Sequence, residues 1–274
     1  MFDTVAIVGT GLIGGSIALA IKKHKLCRTV IGVSLHARSL KIARAKKAID
    51  VASLKLEAIK EADLVVLATP VSTILALAPR IKRLVRPGCI VIDVASTKQT
   101  VVRRLQPLFP RFLGTHPLAG SEKKGIANAR ADLFSGSLCL VTPTRATDPK
   151  AKALVQRFWK KLGCRVVCLD PRTHDRILGF VSHLPHIVAF ALINAVPKAY
   201  IRFAPASLHE MTRIAGSDHA LWQDILLDNR ALLAEALKSF RKAYTGIIAA
   251  LQHNDRAALA RLLAQAQAKR EALS

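Results

Sequence analysis

Gly9-Thr10-Gly11-Leu12-Ile13-Gly14 follows the apolar stretch TVAIV and opens a segment of helical character, which is the setting in which a glycine loop passes from strand to helix. There the first glycine allows a tight turn and Gly11 lets the backbone approach a pyrophosphate. Gly14 permits helix and strand to touch, and the helix N-terminus faces the phosphates. Leu12 and Ile13 complete the loop, and its chemistry is dinucleotide binding. Where an NAD site would carry Asp or Glu for the adenosine ribose, this sequence has Ser34. Ser34, His36 and Arg38 offer a hydroxyl, a donor and a fixed cation, which suit a 2′-phosphate that a carboxylate would repel. NADP is the expected cofactor, with NAD as the alternative.

Other candidates follow later strands. Asp93-Val94-Ala95-Ser96-Thr97-Lys98 succeeds an apolar run, so Ser96 and Lys98 are expected to face a cleft at the carboxyl end of a sheet. Ser96 could equally cap a helix beginning near Thr97. His116 sits beside Pro117 in a small-residue loop of the kind that carries sites, and alone it reads as readily structural as catalytic. Arg213, in MTRIAGSD, could clamp a carboxylate or be one surface cation among 42 Lys and Arg residues. No cluster has metal-ligand spacing, and the five cysteines, with Cys164 and Cys168 on one strand face, read as reduced core residues.

These groups need a scaffold. Apolar runs at 4–8, 30–34, 64–68 and 89–93 alternate with helical segments at 16–25, 39–48 and 71–84. Such alternation predicts an α/β, Rossmann-type, doubly wound and mainly parallel sheet. Shorter strands near 112–115, 138–143 and 165–169 and a helix near 149–162 extend it. Asp170-Pro171 then supplies an N-cap and a proline at the first helical position, and the remainder reads as helical. The expected domains are 1–170 for the dinucleotide and 171–274 for substrate and dimerisation. One long apolar helix is expected over 218–253. Its excess of apolar residues predicts a homodimer through the helical domain.

The net charge of +24 raises the question of nucleic acid. Lys and Arg are spread over nearly every expected helix, however, and aromatic residues for base stacking make up only 5% of the chain. A solvated basic surface that steers anionic ligands is the expectation, with no nucleic-acid partner. Asp3 precedes the first apolar stretch without a basic region, so no signal peptide is expected. The later apolar run 187–196 is half the length of a membrane span of roughly 20 residues. A cytoplasmic protein without a membrane partner is expected.

Four segments in this order, GTGLIGGS, DVASTK at 93–98, THPLAGSEKKG at 115–125 and SHLPH at 182–186, closely resemble prephenate and arogenate dehydrogenases. MTRIAGSDHALWQDI at 211–225 fits as well, so the resemblance covers nearly the whole chain. It implies oxidative decarboxylation of prephenate or arogenate with hydride transfer to NADP, in tyrosine biosynthesis. It also implies roles. His116 would deprotonate the ring hydroxyl, and Ser96 would orient that histidine and the substrate. Arg213 would pair with a substrate carboxylate, and His186, Trp222 and Glu122 would line the substrate pocket. A hydroxy-acid dehydrogenase of similar layout is a second reading, although SHLPH has no lysine close behind it. A regulator that senses NADP and binds nucleic acid is a third, and it leaves His116, Ser96 and Arg213 without a task.

Overall fold

The computed structural model describes residues 2–120 and 123–273. Eight strands form one sheet: β1 (Thr4–Val8), β2 (Thr29–Val33), β3 (Val51–Ser53), β4 (Leu64–Leu67), β5 (Ile90–Asp93), β6 (Phe112–Pro117), β7 (Leu138–Thr142) and β8 (Arg165–Cys168). Their spatial order is β3-β2-β1-β4-β5-β6-β7-β8. All pairings are parallel except β6 with β7. The sheet is thus doubly wound about β1 and β4, as the sequence pattern predicts.

Every residue of β1, β4 and β5 is buried, because helices cover both faces and leave no solvated side. Alternation along β1 sends Val5 and Ile7 to one core and Ala6 and Val8 to the other. The covering helices are α1 (Leu12–Lys23), α2 (Ala37–Ala45), α3 (Val71–Leu84), α4 (Gln99–Leu105) and α5 (Pro149–Lys161). α1 begins at Leu12, earlier than the expected Ser16, since Gly14 and Gly15 are buried in its first turn. A Cβ at Gly14 would run into the Gly9 carbonyl oxygen, and one at Gly15 into Ile126. The short edge strand β3 escaped the sequence reading because three residues carry no period.

Beyond the sheet, α6 (Pro171–Leu178), a π-helical turn (Gly179–His183) and α7 (Leu184–Ala195) form one continuous helical run, succeeded by α8 (Ala206–Thr212) and α9 (His219–Asp228). Asp170 caps α6 through the Arg172 and Thr173 N–H groups, as the Asp-Pro pair predicts. Pro171–Ala195 is long and apolar enough to cross a bilayer by length and composition. Its first turns nevertheless carry Arg172, His174, Asp175 and Arg176, and His174 and Asp175 are buried against the sheet and α4.

The expected single helix over 218–253 is broken. Asn229 leaves helical geometry, and α10 (Arg230–Gln252) starts anew, with α11 (Arg256–Glu271) after it. The break has a polar cause: the Asn229 amide is buried and donates to the Asp175 carbonyl. By packing, the chain divides at the same residue into Met1–Asn229 and Arg230–Ser274. Residues 171–229, although mostly helical, therefore belong to one packed unit with the sheet. Of the cysteines, Cys89, Cys139 and Cys164 are buried as expected. Cys168 is exposed at the end of an edge strand and Cys27 is half-buried, which corrects the expectation that all five are core residues.

Candidate active site

The carboxyl ends of β1, β4, β5 and β6 lie on one side of the sheet. After β1, Gly9 adopts φ +103°. A side chain there would strike the Ala68 carbonyl at the end of β4. Gly11 is the N-cap of α1 and uses no side chain to cap it, so the first N–H groups of the helix remain open. No atom lies within 4 Å of where a Gly11 Cβ would stand. The hydroxyls of Thr10 and Thr69, beside this loop, are buried without partners among the described residues. Open N–H groups, a bare glycine and two orphaned hydroxyls together fit the pyrophosphate of a dinucleotide. Leu12 and Ile13 form the first turn of α1.

After β2, the His36 N–H donates to Ser34 Oγ over 3.2 Å, leaving the hydroxyl hydrogen free to donate outward. His36 is the N-cap of α2, and Arg38 stands exposed in its first turn with no acidic residue there. The turn after β2 and the start of α2 therefore carry a cation and no carboxylate.

After β5, the sequence expectation fails in one respect. Lys98 does not face a cleft; it is fully buried and forms an ion pair with Asp93, which is equally buried. Asp93 also accepts hydrogen bonds from the Ala95 N–H at 3.0 Å and the Thr115 N–H at 3.4 Å. Burial pushes the Asp93 pKa up, and the Lys98 ammonium opposes that shift. A lysine two residues past a half-buried serine looks exposed from sequence because the acid that draws it inward lies five residues back, at the end of the strand. Ser96 itself is half-buried and its hydroxyl bonds to none of the described residues. It does not cap α4, whose N-terminus receives Asp175 from α6 instead. Asp175 Oδ1 accepts from the Lys98 N–H and Oδ2 from the Gln99 N–H, each at 2.7 Å.

His116, near the end of β6, is half-buried, and its Nδ1 lies 3.0 Å from Nε2 of His174. His174 is fully buried and places its Nδ1 2.8 Å from Asp175 Oδ1. Burial, then the neighbouring His174 and Lys98 charges, holds His116 well below the usual histidine range, so it is neutral at pH 7. His174 is lowered in the same way, by burial and then by Lys98. Sequence reasoning missed His174, Asp175 and Asn229. The only signal lay in two ionisable residues, in PRTHDRIL, on the face of α6 that must be buried.

The helices α7 and α9 bring further groups together. His186 stacks on Trp222 with ring centroids 3.5 Å apart, and its Nδ1–H donates to the Ser182 carbonyl. Burial lowers the His186 pKa, and the Arg213 cation lowers it further, which places that guanidinium near the ring. His183 meets Trp222 edge-on and contacts Asn229 through Nδ1 at 2.9 Å, while its Nε2 is buried without a partner among the described residues. His186 and Trp222 are thus in contact, with Arg213 within electrostatic reach of His186. α9 is moored to α3 by Ser72, whose N–H and hydroxyl both donate to Asp224. Glu122 lies outside the described residues. No group of three or more metal-ligating side chains occurs among the described residues.

Residues 17–168 match the family model described as prephenate dehydrogenase, nucleotide-binding domain, and residues 170–265 match prephenate dehydrogenase, dimerization domain. A prephenate dehydrogenase of Bacillus subtilis (strain 168) is 37% identical over 84% of this chain, which spans 65% of that protein. A cyclohexadienyl dehydrogenase of Zymomonas mobilis is 33% identical over 88% of this chain and 85% of its own. The structure of the Aquifex aeolicus prephenate dehydrogenase, in complex with hydroxyphenyl propionate and NAD+, superposes with a TM-score of 0.94 at 31% identity, covering 100% of this chain and 99% of that one. The nucleotide-binding domain accordingly takes a nicotinamide cofactor. The chain belongs to the prephenate dehydrogenase family, whose members are nicotinamide-dependent, decarboxylating dehydrogenases.

Proposed function

We propose that this chain oxidatively decarboxylates prephenate to 4-hydroxyphenylpyruvate with NADP as hydride acceptor, as a cytoplasmic homodimer. The observation that carries the reading is His116: a neutral imidazole at the carboxyl end of β6, on the same side of the sheet as the glycine loop after β1, with one nitrogen engaged and the other available. Loss of hydride from a carbinol carbon builds positive charge that removal of the hydroxyl proton relieves, and a neutral histidine is the base for that task. When bound, the nicotinamide supplies the hydride acceptor. His116 takes the hydroxyl proton, Ser96 is placed to hold the hydroxyl, and Arg213 pairs with a carboxylate. His186 and Trp222 form one wall of the substrate pocket, and the family resemblance adds Glu122 as a pocket residue. Gly9, Gly11, Leu12, Ile13 and Gly14 carry the pyrophosphate, and Ser34, His36 and Arg38 the 2′-phosphate. The dimer reading is supported by Leu237, Phe240, Tyr244 and Leu251, exposed apolar side chains of α10, and by the name of the matching family model.

Arogenate is the second reading, and His186 favours it. With Nδ1–H donated to a carbonyl and the ring kept neutral, its Nε2 is an acceptor at pH 7, which suits an ammonium group better than a keto oxygen.

Steady-state assays with each pairing of prephenate or arogenate with NADP or NAD test both choices. NADP reduction with prephenate should show the highest kcat/KM, and His116→Asn should lower kcat by about 10²–10⁴-fold. Ser34→Asp should reverse the cofactor preference. Absence of turnover in all four pairings refutes the function.

A further inference from the structure

We propose that His174 and Asp175 are positioning residues for this reaction, fixing the tautomer of His116 that leaves its Nε2 free to accept the hydroxyl proton. The inference rests on the function proposed above and concerns residues that no sequence motif marked.

Donors and acceptors decide the tautomers. Both Asp175 oxygens accept backbone N–H groups at the start of α4, an arrangement that suits a carboxylate, which has no hydrogen of its own to place. The Nδ1 of His174, 2.8 Å from Oδ1, must then carry the hydrogen. A neutral imidazole has one N–H, so His174 Nε2 is a bare acceptor. It faces His116 Nδ1 at 3.0 Å, which must therefore be the N–H of that ring. The hydrogen is excluded from His116 Nε2, and the lone pair stays there. Reversing the tautomer of either ring would set two lone pairs or two hydrogens against each other at one of these contacts.

Charge points the same way. The groups facing the histidine pair are Lys98 and Asp93 from the β5–α4 segment, Asp175 from α6 and His183 from the π turn. Lys98 is neutralised by Asp93, and the histidines are neutral, so these groups together carry the single negative charge of Asp175. When the hydroxyl O–H breaks and an N–H forms on Nε2 of His116, that ring becomes an imidazolium. The charge that forms is then balanced by the carboxylate one imidazole away. The hydride leaves for the oxidised nicotinamide, the ring carboxylate departs as carbon dioxide, and the phenolate that its electron pair creates takes the proton back from His116, so the relay needs no further reactant. Asp175 is engaged at α4 whether or not substrate is bound, which makes the tautomer a property of the resting fold.

Two variants and one spectrum test this. In His174→Phe no acceptor faces His116 Nδ1, and kcat should fall by about 10²–10⁴-fold with KM for substrate within about threefold. In His174→Gln the amide oxygen can accept from Nδ1, and kcat should recover at least about tenfold over the Phe variant. A packing role alone would make both variants equally impaired or shift KM instead. Independently, nitrogen-15 spectra of histidine-labelled wild-type protein, with His116 assigned by its loss in His116→Asn, should show Nδ1 protonated and Nε2 bare. A protonated Nε2 in the wild type, or His174→Phe with kcat within about threefold of wild type, overturns the relay. Should the wild type turn over no substrate, the function fails while the spectrum still decides the tautomer.

Discussion

Replacing Lys98 by Met tests whether the ion pair under the site holds the fold, and pH makes the test specific. Methionine keeps most of the lysine volume and the apolar stem, so little packing is lost. What is lost is the cation paired with Asp93, itself without solvent exposure. Removing one partner of a buried pair costs about 3–5 kcal/mol. The carboxylate can escape by taking up a proton, however. From an unfolded pKa near 3.9, holding it protonated at pH 7 costs about 4 kcal/mol at roughly 1.36 kcal/mol per unit, which caps the loss. At pH 5 the same escape costs only about 1.5 kcal/mol. In the variant the folded state binds the proton more tightly than the unfolded chain, so stability relative to wild type falls as pH rises. Urea unfolding of both proteins should show a difference of about 3–4 kcal/mol at pH 7, shrinking by at least half at pH 5. Scanning calorimetry at pH 7 should place Tm about 6–16 °C lower. Lys98 also helps depress the His116 pKa, so the acid limb of the kcat/KM profile should move to higher pH in the variant. A loss below about 1 kcal/mol at pH 7, or an equal loss at both pH values, refutes the reasoning.

Two further outcomes concern buried groups. Burial holds the His183 pKa down at about 4, and the unfolded value is near 6.5, so between these the unfolded chain binds the proton and the fold does not. Stability should therefore fall as pH drops from about 6.5 to 4, by about 3 kcal/mol from His183, and His183→Asn should flatten that part of the denaturation curve. Gly14→Ala drives a methyl group into the Gly9 carbonyl, and fluorescence titration should show dinucleotide affinity reduced by at least about tenfold, with about 1–3 kcal/mol of stability lost.

The sheet was legible because its strands are buried on both faces and read as unbroken apolar runs, and the glycine loop because it must sit between one such run and a helix. Motif order singled out His116, Ser96, Arg213, His186 and Trp222, and of these the structure brings His186 and Trp222 into contact. The network beneath them was not. Asp175 caps a helix 76 residues away in sequence, at Gln99, and no local period encodes a cap supplied from another element. Lys98 was misplaced because a charged residue is expected at the surface unless a partner is known, and its partner becomes visible only once β5 and α4 are folded. Asn229 ended a helix that apolar periodicity would have continued, since the pattern records burial and not which backbone carbonyl needs a donor.

The π-helical turn at Gly179–His183 can be described as one residue too many in an otherwise regular α-helix. Each residue advances an α-helix by about 100°, so the extra one sets the phase between the turns on its two sides. Upstream, His174 and Asp175 face the carboxyl end of β6 and the start of α4; downstream, His186 faces Trp222. Deleting a single codon here, at Val181 for example, would improve the helix as a helix. It would also swing the wall that carries His186 about a quarter turn away from the relay below it. Insertions and deletions in this stretch are therefore felt as errors of phase between the His116–His174 contact and the His186–Trp222 stack, while the same change in the loop at 145–147 would leave both in register.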